Sequence, residues 1–303
     1  MSNGTVTWSP RGADARVVVV GGINADLKAR TTAPLVPGTS NPGTATLTPG
    51  GVGRNVAENL AHLGRPVALV GVVGDDDLGR LVLDATSAAG VDVTHVRCRL
   101  GPTGSYTALL DHHGELVAGV ADMAAADALT PEDVRAAESV VAGAGMLVLD
   151  GNLPVAAFAA ARDLAAAHGV PVVVDPVSVP KAARLTAQVR DLLAVTPSHG
   201  ELEALGGVPA LLARGVDLVW ERRGASGSVL HTAGGAGAVE LAAPETAVVD
   251  VTGAGDAMLA AWCHAVLAGQ GHAEAAAYAH EAAALTVASP LTVRPDLGEM
   301  LAR

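Results

Sequence analysis

The sequence contains 303 residues, of which half are hydrophobic and 17% are charged, and its formal net charge is −12. This composition excludes an intrinsically disordered chain, since such chains are poor in apolar residues and rich in charge. The acidic balance, with lysine only at positions 28 and 181, also disfavours nucleic acid or a membrane surface as a partner, because both are bound through clustered Lys and Arg.

Residues 1–15 lack the apolar core of a signal peptide and are predicted to form a flexible N-terminal leader before one folded domain over residues 16–303. The sequence has no run of about 18 apolar residues that would span a bilayer. Cys98 and Cys263 are far apart and have no second Cys or His at metal-ligand spacing, so neither a zinc site nor a disulfide framework is predicted. We therefore expect a soluble, cytoplasmic protein that acts on a small molecule.

From residue 16 onward, short β-branched runs alternate with Ala-rich stretches, a pattern typical of parallel strands joined by helices. The predicted strands span residues 16–20, 66–73, 146–149, 170–174 and 217–220, and the predicted helices span residues 52–63, 78–89, 131–142, 155–168 and 180–193. Several of these helices end at a glycine, which is common at helix C-termini. The sequence thus predicts an α/β fold with a doubly wound central sheet flanked by helices.

Two segments interrupt this alternation. Residues 28–48 contain three prolines with Thr-rich flanks, and residues 104–120 have the pattern of a strand, an Asp-His-His-Gly turn and a second strand. We predict that both belong to a small separate sheet that forms a lid over the site, with edge strands of the main sheet as the alternative. The unpaired edges of such a lid favour pairing with a second copy, so a homodimer through the lid is expected.

The strongest chemical motif lies near the C-terminus, where Gly253, Ala254 and Gly255 precede an apolar helix predicted over residues 257–267. Small residues at a helix N-terminus allow backbone N–H groups to bind phosphate, and the helix dipole favours negative charge there. Asp256 in the same turn is suited to accept a proton from a hydroxyl while these N–H groups stabilise a transferring phosphoryl group. The alternative is a plain helix cap formed by Thr252 or Asp256.

Two further motifs lie near the N-terminus. The sequence TPGGVGRN at residues 48–55 permits close backbone approach to a ligand at Gly51, and Asn55 in the following helix is suited to donate to a sugar hydroxyl; a simple tight turn is the alternative. A dinucleotide fingerprint is disfavoured, since Val56 stands where the third glycine is needed. Asn24 and Asp26 follow the first strand and are suited to hold vicinal hydroxyls, with a solvated Asx turn as the alternative.

The motifs GINAD at residues 22–26, GGVGRN at 50–55, DP at 175–176 and VTGAGD at 251–256 occur in an order that resembles the ribokinase-like (PfkB) carbohydrate and nucleoside kinases. The resemblance covers about residues 16–290 and implies an ATP-dependent kinase that uses Mg²⁺. Residues 40–55, 105–106 and 122–123 are most similar to the pseudouridine kinases of that family, which implies phosphorylation of the 5′-hydroxyl of pseudouridine. A ribose, fructose or purine nucleoside kinase is the alternative within the family. A catalytically silent sensor is the alternative outside it, and the carboxylate of Asp256 disfavours it.

The resemblance implies that Asp256 is the catalytic base and that Gly253, Ala254 and Gly255 form the anion hole. The residues that would hold the ribose are Asn24, Asp26, Gly51 and Asn55. Pseudouridine carries a ring N–H that uridine lacks, so polar groups should determine specificity. The candidates for the base are Ser40, Asn41 and Asp122 as polar contacts, with Tyr106 or Met123 packing on the ring; a half-buried strand position is the alternative for Tyr106.

The resemblance also implies a nucleotide site. The turn at residues 224–227 resembles the segment that lines the phosphates and ribose, with a hairpin turn as the alternative. Glu201 matches a glutamate that organises Mg²⁺ through water, with a solvated helix position as the alternative, although Ser198 and Thr196 replace the family's usual Asn and frequent Lys. Asp250 matches one ligand of a potassium ion that many members use. Arg222 and Arg223 either contact phosphate or are exposed. The implied nucleotide-binding residues are Ser198, Glu201, Arg223, Gly224, Gly227, Thr252, Gly253 and Gly255.

Overall fold

A computed structural model of the chain describes residues 12, 14–235 and 237–302, so most of the predicted leader lies outside the described residues. The strands within these ranges are β1 (Val17–Val20), β2 (Asn24–Thr31), β3 (Gly43–Gly50), β4 (Val67–Gly74), β5 (Asp92–Arg99), β6 (Gly104–Leu110), β7 (Leu116–Asp122), β8 (Met146–Asp150), β9 (Val172–Asp175), β10 (Leu192–Val195), β11 (Val216–Arg222), β12 (Ser228–Thr232) and β13 (Val239–Leu241). The α-helices are α1 (Val52–His62), α2 (Asp77–Ala88), α3 (Ala124–Asp127), α4 (Pro131–Arg135), α5 (Glu138–Ala142), α6 (Val155–Ala167), α7 (Val179–Leu185), α8 (His199–Ala204), α9 (Gly207–Ala213), α10 (Ala254–Leu267), α11 (His272–Val287) and α12 (Leu297–Leu301).

In the described residues, nine strands form the main sheet in the order β13-β12-β11-β10-β9-β8-β1-β4-β5. The strands from β11 to β5 are parallel, and β12 and β13 continue the sheet antiparallel. Strand β1 consists of four valines buried on both faces: Val17 and Val19 pack into one hydrophobic core, and Val18 and Val20 pack into the other. A parallel strand covered by helices on both sides requires such an uninterrupted apolar run. The predicted doubly wound sheet is confirmed.

Helices cover both faces of this sheet. On one face α1, α10 and α11 contribute to the first core, in which the rings of Trp220 and Trp262 lie 6.0 Å apart between centroids. The second core, on the other face, includes Phe158 of α6 and Leu211 of α9. Helices α1 and α10 pack against each other, and Asn55 in the first turn of α1 is hydrogen-bonded to Asp256 in the first turn of α10, so both N-termini lie at the same edge of the sheet. This edge carries the carboxyl ends of the parallel strands, where ligands bind in open α/β sheets.

The second sheet has four described strands in the order β3-β2-β6-β7. Strand β2 pairs antiparallel with β3 and parallel with β6, and β6 pairs antiparallel with β7. Because alternate residues of a strand point to the same side, Asn24, Asp26 and Lys28 share one face of the sheet, and Ala25 and Leu27 share the other. The predicted separate small sheet is confirmed, and its strand β2 begins directly after a three-residue link from β1.

All five predicted strands are present, with ends that differ by one or two residues. The helix predicted over residues 131–142 is instead two short helices, α4 and α5. The helix predicted over residues 180–193 is wrong in its second half: α7 ends at Leu185, and Leu192–Val195 is the buried strand β10 between β9 and β11. Asp191 has a left-handed φ of 56° and redirects the chain into that strand. None of the described helices is both long and apolar enough to cross a membrane.

Candidate active site

The site lies at the carboxyl edge of the main sheet, beside a cavity of about 870 Å³. The cavity is bounded by residues that follow β9, β10 and β11, by the segment at residues 243–251, by the first turn of α10 and by one side of α11. Asp175, Ser198, Gly224, Gly255 and Asp256 are among the residues that line it. The topology thus brings together segments from the middle and the end of the chain.

The first turn of α10 is shaped by a glycine. Gly253 is the N-cap residue with a left-handed φ of 81°, and a Cβ placed there would lie 2.0 Å from the carbonyl oxygen of Thr292. Only glycine fits this position without displacement of the backbone. The N–H of Ala254 donates to the carbonyl of Val251 at 3.3 Å. The N–H groups that follow in the first turn are those that a helix leaves without an intrahelical acceptor, so they are suited to bind an anion.

Asp256 lies in this turn with its carboxyl group at the cavity. The residue is 9% exposed, and its Oδ2 accepts a hydrogen bond of 2.8 Å from Nδ2 of Asn55 in α1. Burial raises the pKa of Asp256 to about 8; the hydrogen bond from Asn55 and the charge of Arg222 oppose this shift, and the charge of Asp175 adds to it. A carboxylate that is costly to ionise readily accepts a proton, which is the property a general base requires.

The amide of Asn55 is held in one orientation. Its Oδ1 accepts from Nη1 of Arg54 at 2.9 Å, which directs Nδ2 to Asp256. On the small sheet Nδ2 of Asn24 donates to Oδ1 of Asp26, and burial raises the pKa of Asp26. These four polar side chains and Asp256 come from the small sheet and from the packed helices α1 and α10. The predicted ribose-binding residues Asn24, Asp26 and Asn55 are therefore partly or wholly buried at the same junction.

Gly51 joins the small sheet to α1. It has a left-handed φ of 98°, and a Cβ at this position would lie 2.4 Å from the carbonyl oxygen of Gly22. The backbone of residues 50–53 consequently packs directly on residues 21–23, as expected for a glycine pair that allows close approach. This contact fixes the start of α1 relative to β2.

Sequence reasoning missed the role of Asp150 at the end of β8. Its Oδ2 accepts from the N–H groups of Gly22 and Gly53, both at 2.8 Å, and its Oδ1 accepts from the N–H of Asn152 at 2.8 Å. A fully buried carboxylate thus joins the β1–β2 link to the start of α1. The signal was present in the sequence, because an acidic residue that ends an otherwise apolar strand is a buried charge that needs donors. Asp175 ends β9 in the same way and is the register partner of Asp150.

The predicted nucleotide residues divide into two groups. Ser198 caps α8 and lines the cavity, and Oε2 of the buried Glu201 accepts from the N–H of Ser198 at 2.8 Å. Gly224 and Gly227 also line the cavity. Arg223 does not: its Nη2 donates to Glu221 at 2.7 Å, and its side chain is 40% exposed. The arginine that lines the cavity is its neighbour Arg222, for which the sequence predicted either a phosphate contact or an exposed position.

Asp250 and Thr252 precede the first turn of α10 and contact the small sheet. Nζ of Lys28 donates to Oδ2 of Asp250 at 2.8 Å and lies 3.4 Å from Oγ1 of Thr252. The other carboxylate oxygen of Asp250 accepts from the N–H of Thr252 at 2.8 Å. The ammonium of Lys28 thus already pairs with the carboxylate that the resemblance assigns to a potassium ion.

No cluster of three or more His, Cys, Asp and Glu side chains suited to a metal occurs among the described residues. Mg²⁺ in kinases is held largely by nucleotide phosphates and water, with one or two carboxylates. Glu201, buried beside the cavity-lining Ser198, fits such a role.

The predicted base-recognition residues are not all brought to this site. Tyr106 pairs with Asp26 across β6 and β2 and lies on the same face, whereas Asp122 pairs with Ser105 on the opposite face and is exposed, and Met123 follows it. Ser40 and Asn41 lie in the loop at the far end of the β2–β3 hairpin. Eight-residue strands place that loop about 20 Å from Asn24. The side chain of Asn41 there bonds the backbone of Val36 and Thr39. The structure therefore separates these two residues from the buried cluster.

Comparison with known proteins gives a consistent result. A family model described as pfkB family carbohydrate kinase matches residues 14–297. The chain is 34% identical over 295 residues to a pseudouridine kinase of Escherichia coli K12, with 93% of both sequences covered. A solved carbohydrate kinase from Agrobacterium tumefaciens superposes with a TM-score of 0.84 at 32% identity, covering 95% of this chain and 96% of that one. A ribokinase of Arabidopsis thaliana complexed with ribose and ATP gives a TM-score of 0.79 at 25% identity, covering 95% and 99%.

The family match spans nearly the whole described chain and includes all four motifs that carried the resemblance. The resemblance is therefore confirmed, and with it the fold and the type of reaction. This protein is a phosphotransferase that belongs to the pfkB family of carbohydrate kinases.

Proposed function

We propose that this kinase transfers the γ-phosphoryl group of ATP to the 5′-hydroxyl of pseudouridine, giving pseudouridine 5′-phosphate and ADP. The observation that carries the reaction type is the carboxyl group of Asp256, buried at the cavity within a glycine-lined helix start and held by the amide of Asn55. The substrate is supported by the 34% identity to a pseudouridine kinase over 93% of both sequences.

The proposed site has two sides, one that binds the acceptor and one that binds the nucleotide. On the acceptor side, the carboxylate of Asp26 and the amides of Asn24 and Asn55 bind ribose hydroxyls, and Tyr106 lies on the same face as Asp26 to pack on the base. Asp256 in its ionised form accepts the proton of the attacking hydroxyl.

On the nucleotide side, the first-turn N–H groups of α10 stabilise the negative charge of the transferring phosphoryl. The turn at residues 224–227, with Ser198, borders the cavity in which the nucleotide binds. Glu201 would hold Mg²⁺ through water, and that ion supplies charge neutralisation between the phosphates. Potassium is not part of this proposal, because Lys28 already pairs with Asp250.

A ribokinase activity is the second candidate, supported by the structural similarity to a ribokinase complexed with ribose and ATP. A panel of pseudouridine, uridine, ribose, adenosine and fructose, assayed by coupled ADP release, separates the two. We expect the highest kcat/KM for pseudouridine, because the chain is 34% identical to a pseudouridine kinase over 93% of both sequences. A site that accepts from the ring N–H of pseudouridine would place uridine at least about 100-fold lower. A preference for ribose over pseudouridine would contradict the proposed substrate.

We also propose a homodimer formed through the small sheet. Leu47, Leu27 and Val120 lie on the face of the small sheet opposite to Asp26, in a row in which Thr107 of β6 stands between Leu27 and Val120, and Val120 is 67% exposed. Strands β3 and β7 each have one unpaired edge in the described sheet. A mostly apolar row beside open edges suits a second copy of the same surface. A cytoplasmic location completes the proposal, in accord with the two free cysteines, Cys98 and Cys263.

A further inference from the structure

Arg222 is the last residue of β11, and its side chain is only 16% exposed. Its Nη1 and Nη2 donate to the two carboxylate oxygens of Asp175 at 3.0 and 3.1 Å. Such a bidentate pair fixes the plane of the guanidinium as well as its position. Arg222 and Asp175 stand at the ends of β11 and β9, with β10 between them, so the pair spans the carboxyl edge of the main sheet.

The guanidinium lies against the anion-binding turn. A Cβ placed on Gly255 would be 3.0 Å from Nη1 of Arg222, so this nitrogen is next to the backbone of the first turn of α10. Arg222, Gly255 and Asp256 line the same cavity, and the charge of Arg222 lowers the pKa of Asp256. The guanidinium therefore borders the space between the phosphate-binding N–H groups and the catalytic base.

Arg222 is the only Lys or Arg among the described residues that line this cavity. Asp175, Glu245 and Asp256 line it as well, and all three are acidic. A triphosphate that enters such a space needs a cation, and a guanidinium has more N–H donors than the two that Asp175 accepts. The charge distribution of the cavity thus favours a phosphate contact at this side chain.

A purely structural brace between β9 and β11 would be the alternative role. A buried ion pair stabilises a fold weakly, since desolvation offsets most of its attraction. A brace also has no need to face a ligand cavity or to press against a glycine whose backbone binds anions. Both features are present here, so the position of Arg222 is explained better by ligand contact.

We propose that Arg222 is a catalytic residue that donates N–H groups to the γ-phosphoryl of ATP, with Asp175 as its positioning residue. In the reaction the acceptor oxygen forms a bond to the γ-phosphorus while the bond between that phosphorus and the bridging oxygen breaks. The electron pair of the broken bond leaves with ADP, and the hydroxyl proton goes to Asp256. Arg222 offsets the charge on the transferring group and on the bridging oxygen. This inference depends on the proposed phosphoryl transfer and is independent of the nature of the acceptor.

The first test compares nucleotide affinities by calorimetry, with Mg²⁺ and without acceptor, for ADP and a non-hydrolysable ATP analogue. We expect Arg222→Ala to bind the analogue at least about tenfold more weakly than the wild type and ADP within about threefold, because the missing contact involves the γ-phosphoryl. The matched control is Arg162→Lys. Arg162 is buried and paired with Asp163 in α6, does not line the cavity, and should leave both affinities unchanged.

The second test measures turnover. We expect kcat of Arg222→Ala to fall at least about 100-fold, because an arginine cation at the transferring phosphoryl group contributes strongly to the rate. The rate should recover in part when guanidinium chloride is added at millimolar concentration, since free guanidinium can take the place of the removed side chain. Asp175→Asn should lower kcat less and should not respond to guanidinium. Thermal melting checks that each variant folds. If Arg222→Ala does not fold, Arg222→Lys replaces it, and we again expect the affinity for the analogue to fall more than the affinity for ADP.

Equal losses for ADP and the analogue, or a folded Arg222→Lys with wild-type kcat and wild-type affinity ratio, would overturn the proposal. The affinity ratio requires no acceptor, so it remains a test of Arg222 if the wild type phosphorylates another sugar from the panel. A wild type that binds ATP and phosphorylates ribose alone would refute the pseudouridine assignment and leave this inference standing.

Discussion

The carboxyl group of Asp256 must lose its proton before it can act as a base. Because burial raises its pKa to about 8, most of the free enzyme carries the protonated form at pH 7. We expect kcat/KM to rise about tenfold per pH unit below pH 8 and to level off above it, since this parameter reports the ionisation of the free enzyme. Initial rates from pH 6 to 9, with both substrates well below saturation, check this. A level profile over that range would exclude Asp256 as the titrating base.

The same ionisation affects stability. The pKa of Asp256 in the folded protein lies above its unfolded value of 3.8. The contribution of this carboxyl group to the free energy of unfolding is therefore fully present below pH 3.8 and is lost as pH rises through about 8. The side chain at position 256 in the Asp256→Asn variant cannot ionise. The unfolding free energy of the variant relative to the wild type should therefore rise by at least about 1 kcal/mol from pH 5 to pH 8.5. Denaturant unfolding at the two pH values measures the difference.

In the same Asp256→Asn variant, turnover should fall at least about 100-fold while substrate binding stays measurable. Normal turnover, or a stability difference that does not grow with pH, would count against the assigned role.

At the scale of the element, α10 is limited by glycines at both ends. Gly253 and Gly269 both have left-handed φ angles, 81° and 94°, but a Cβ at Gly269 would meet nothing within 4 Å, whereas one at Gly253 would clash with Thr292. Gly269→Ala should cost about 1 kcal/mol of unfolding free energy from the backbone alone. Gly253→Ala should cost at least about 2 kcal/mol and abolish most activity, because the helix start must move. Equal effects of the two substitutions on stability and rate would contradict this account.

Elements differ in how far the sequence determines them. Strand β1 was predictable because four consecutive valines can pack into the cores on both faces of the sheet. Helix α10 was predictable because Gly253 and Asp256 are typical of a helix N-terminus. Strand β10 was not predictable, since its four residues continue an apolar pattern that a helix also satisfies. The turn at Asp191, which separates β10 from the segment that follows α7, has no strong sequence signal.

The candidate site shows the same division. Asp256 and Asn55 were predicted from their motifs, and the structure joins them by a hydrogen bond. The ion pair of Lys28 with Asp250 and the pair of Arg222 with Asp175 were not predicted, because each joins residues that only the tertiary fold brings together. Sequence also could not show that Ser40 lies at the far tip of a hairpin, since its distance from Asn24 depends on strand pairing.

For the whole molecule, the ion pair of Lys28 with Asp250 connects the small sheet to the segment that precedes α10. Both side chains are more than a quarter exposed, so the pair adds little stability, about 0–1 kcal/mol. Lys28→Met should therefore leave the melting temperature nearly unchanged but raise KM for the acceptor several-fold, because β2 also carries Asn24 and Asp26. The control is Arg30→Met, an exposed position on the same face of β2. A wild-type KM in Lys28→Met would show that the contact is incidental.

The proposed dimer is tested at the outer face of the small sheet. Val120→Asp places a charge in the apolar row and should convert the protein to a monomer in light scattering at micromolar concentration. The control is Val239→Asp, at an exposed position in β13 of the main sheet, which should not change the mass. A wild type that is already monomeric at that concentration would remove the dimer from the proposal.

The link between the two sheets has a mechanical consequence. Only residues 21–23 separate β1 from β2, and the backbone N–H groups of Gly21 and Gly22 are tied to Val70 and Asp150. A tether of three residues reaches about 10 Å at most, and two of its residues are anchored. The base of the small sheet, where β2 begins, is therefore held against the carboxyl edge of the main sheet. For the sugar site proposed above, we expect substrate to enter and leave at the distal end of the sheet, because the end next to Asn24 is anchored.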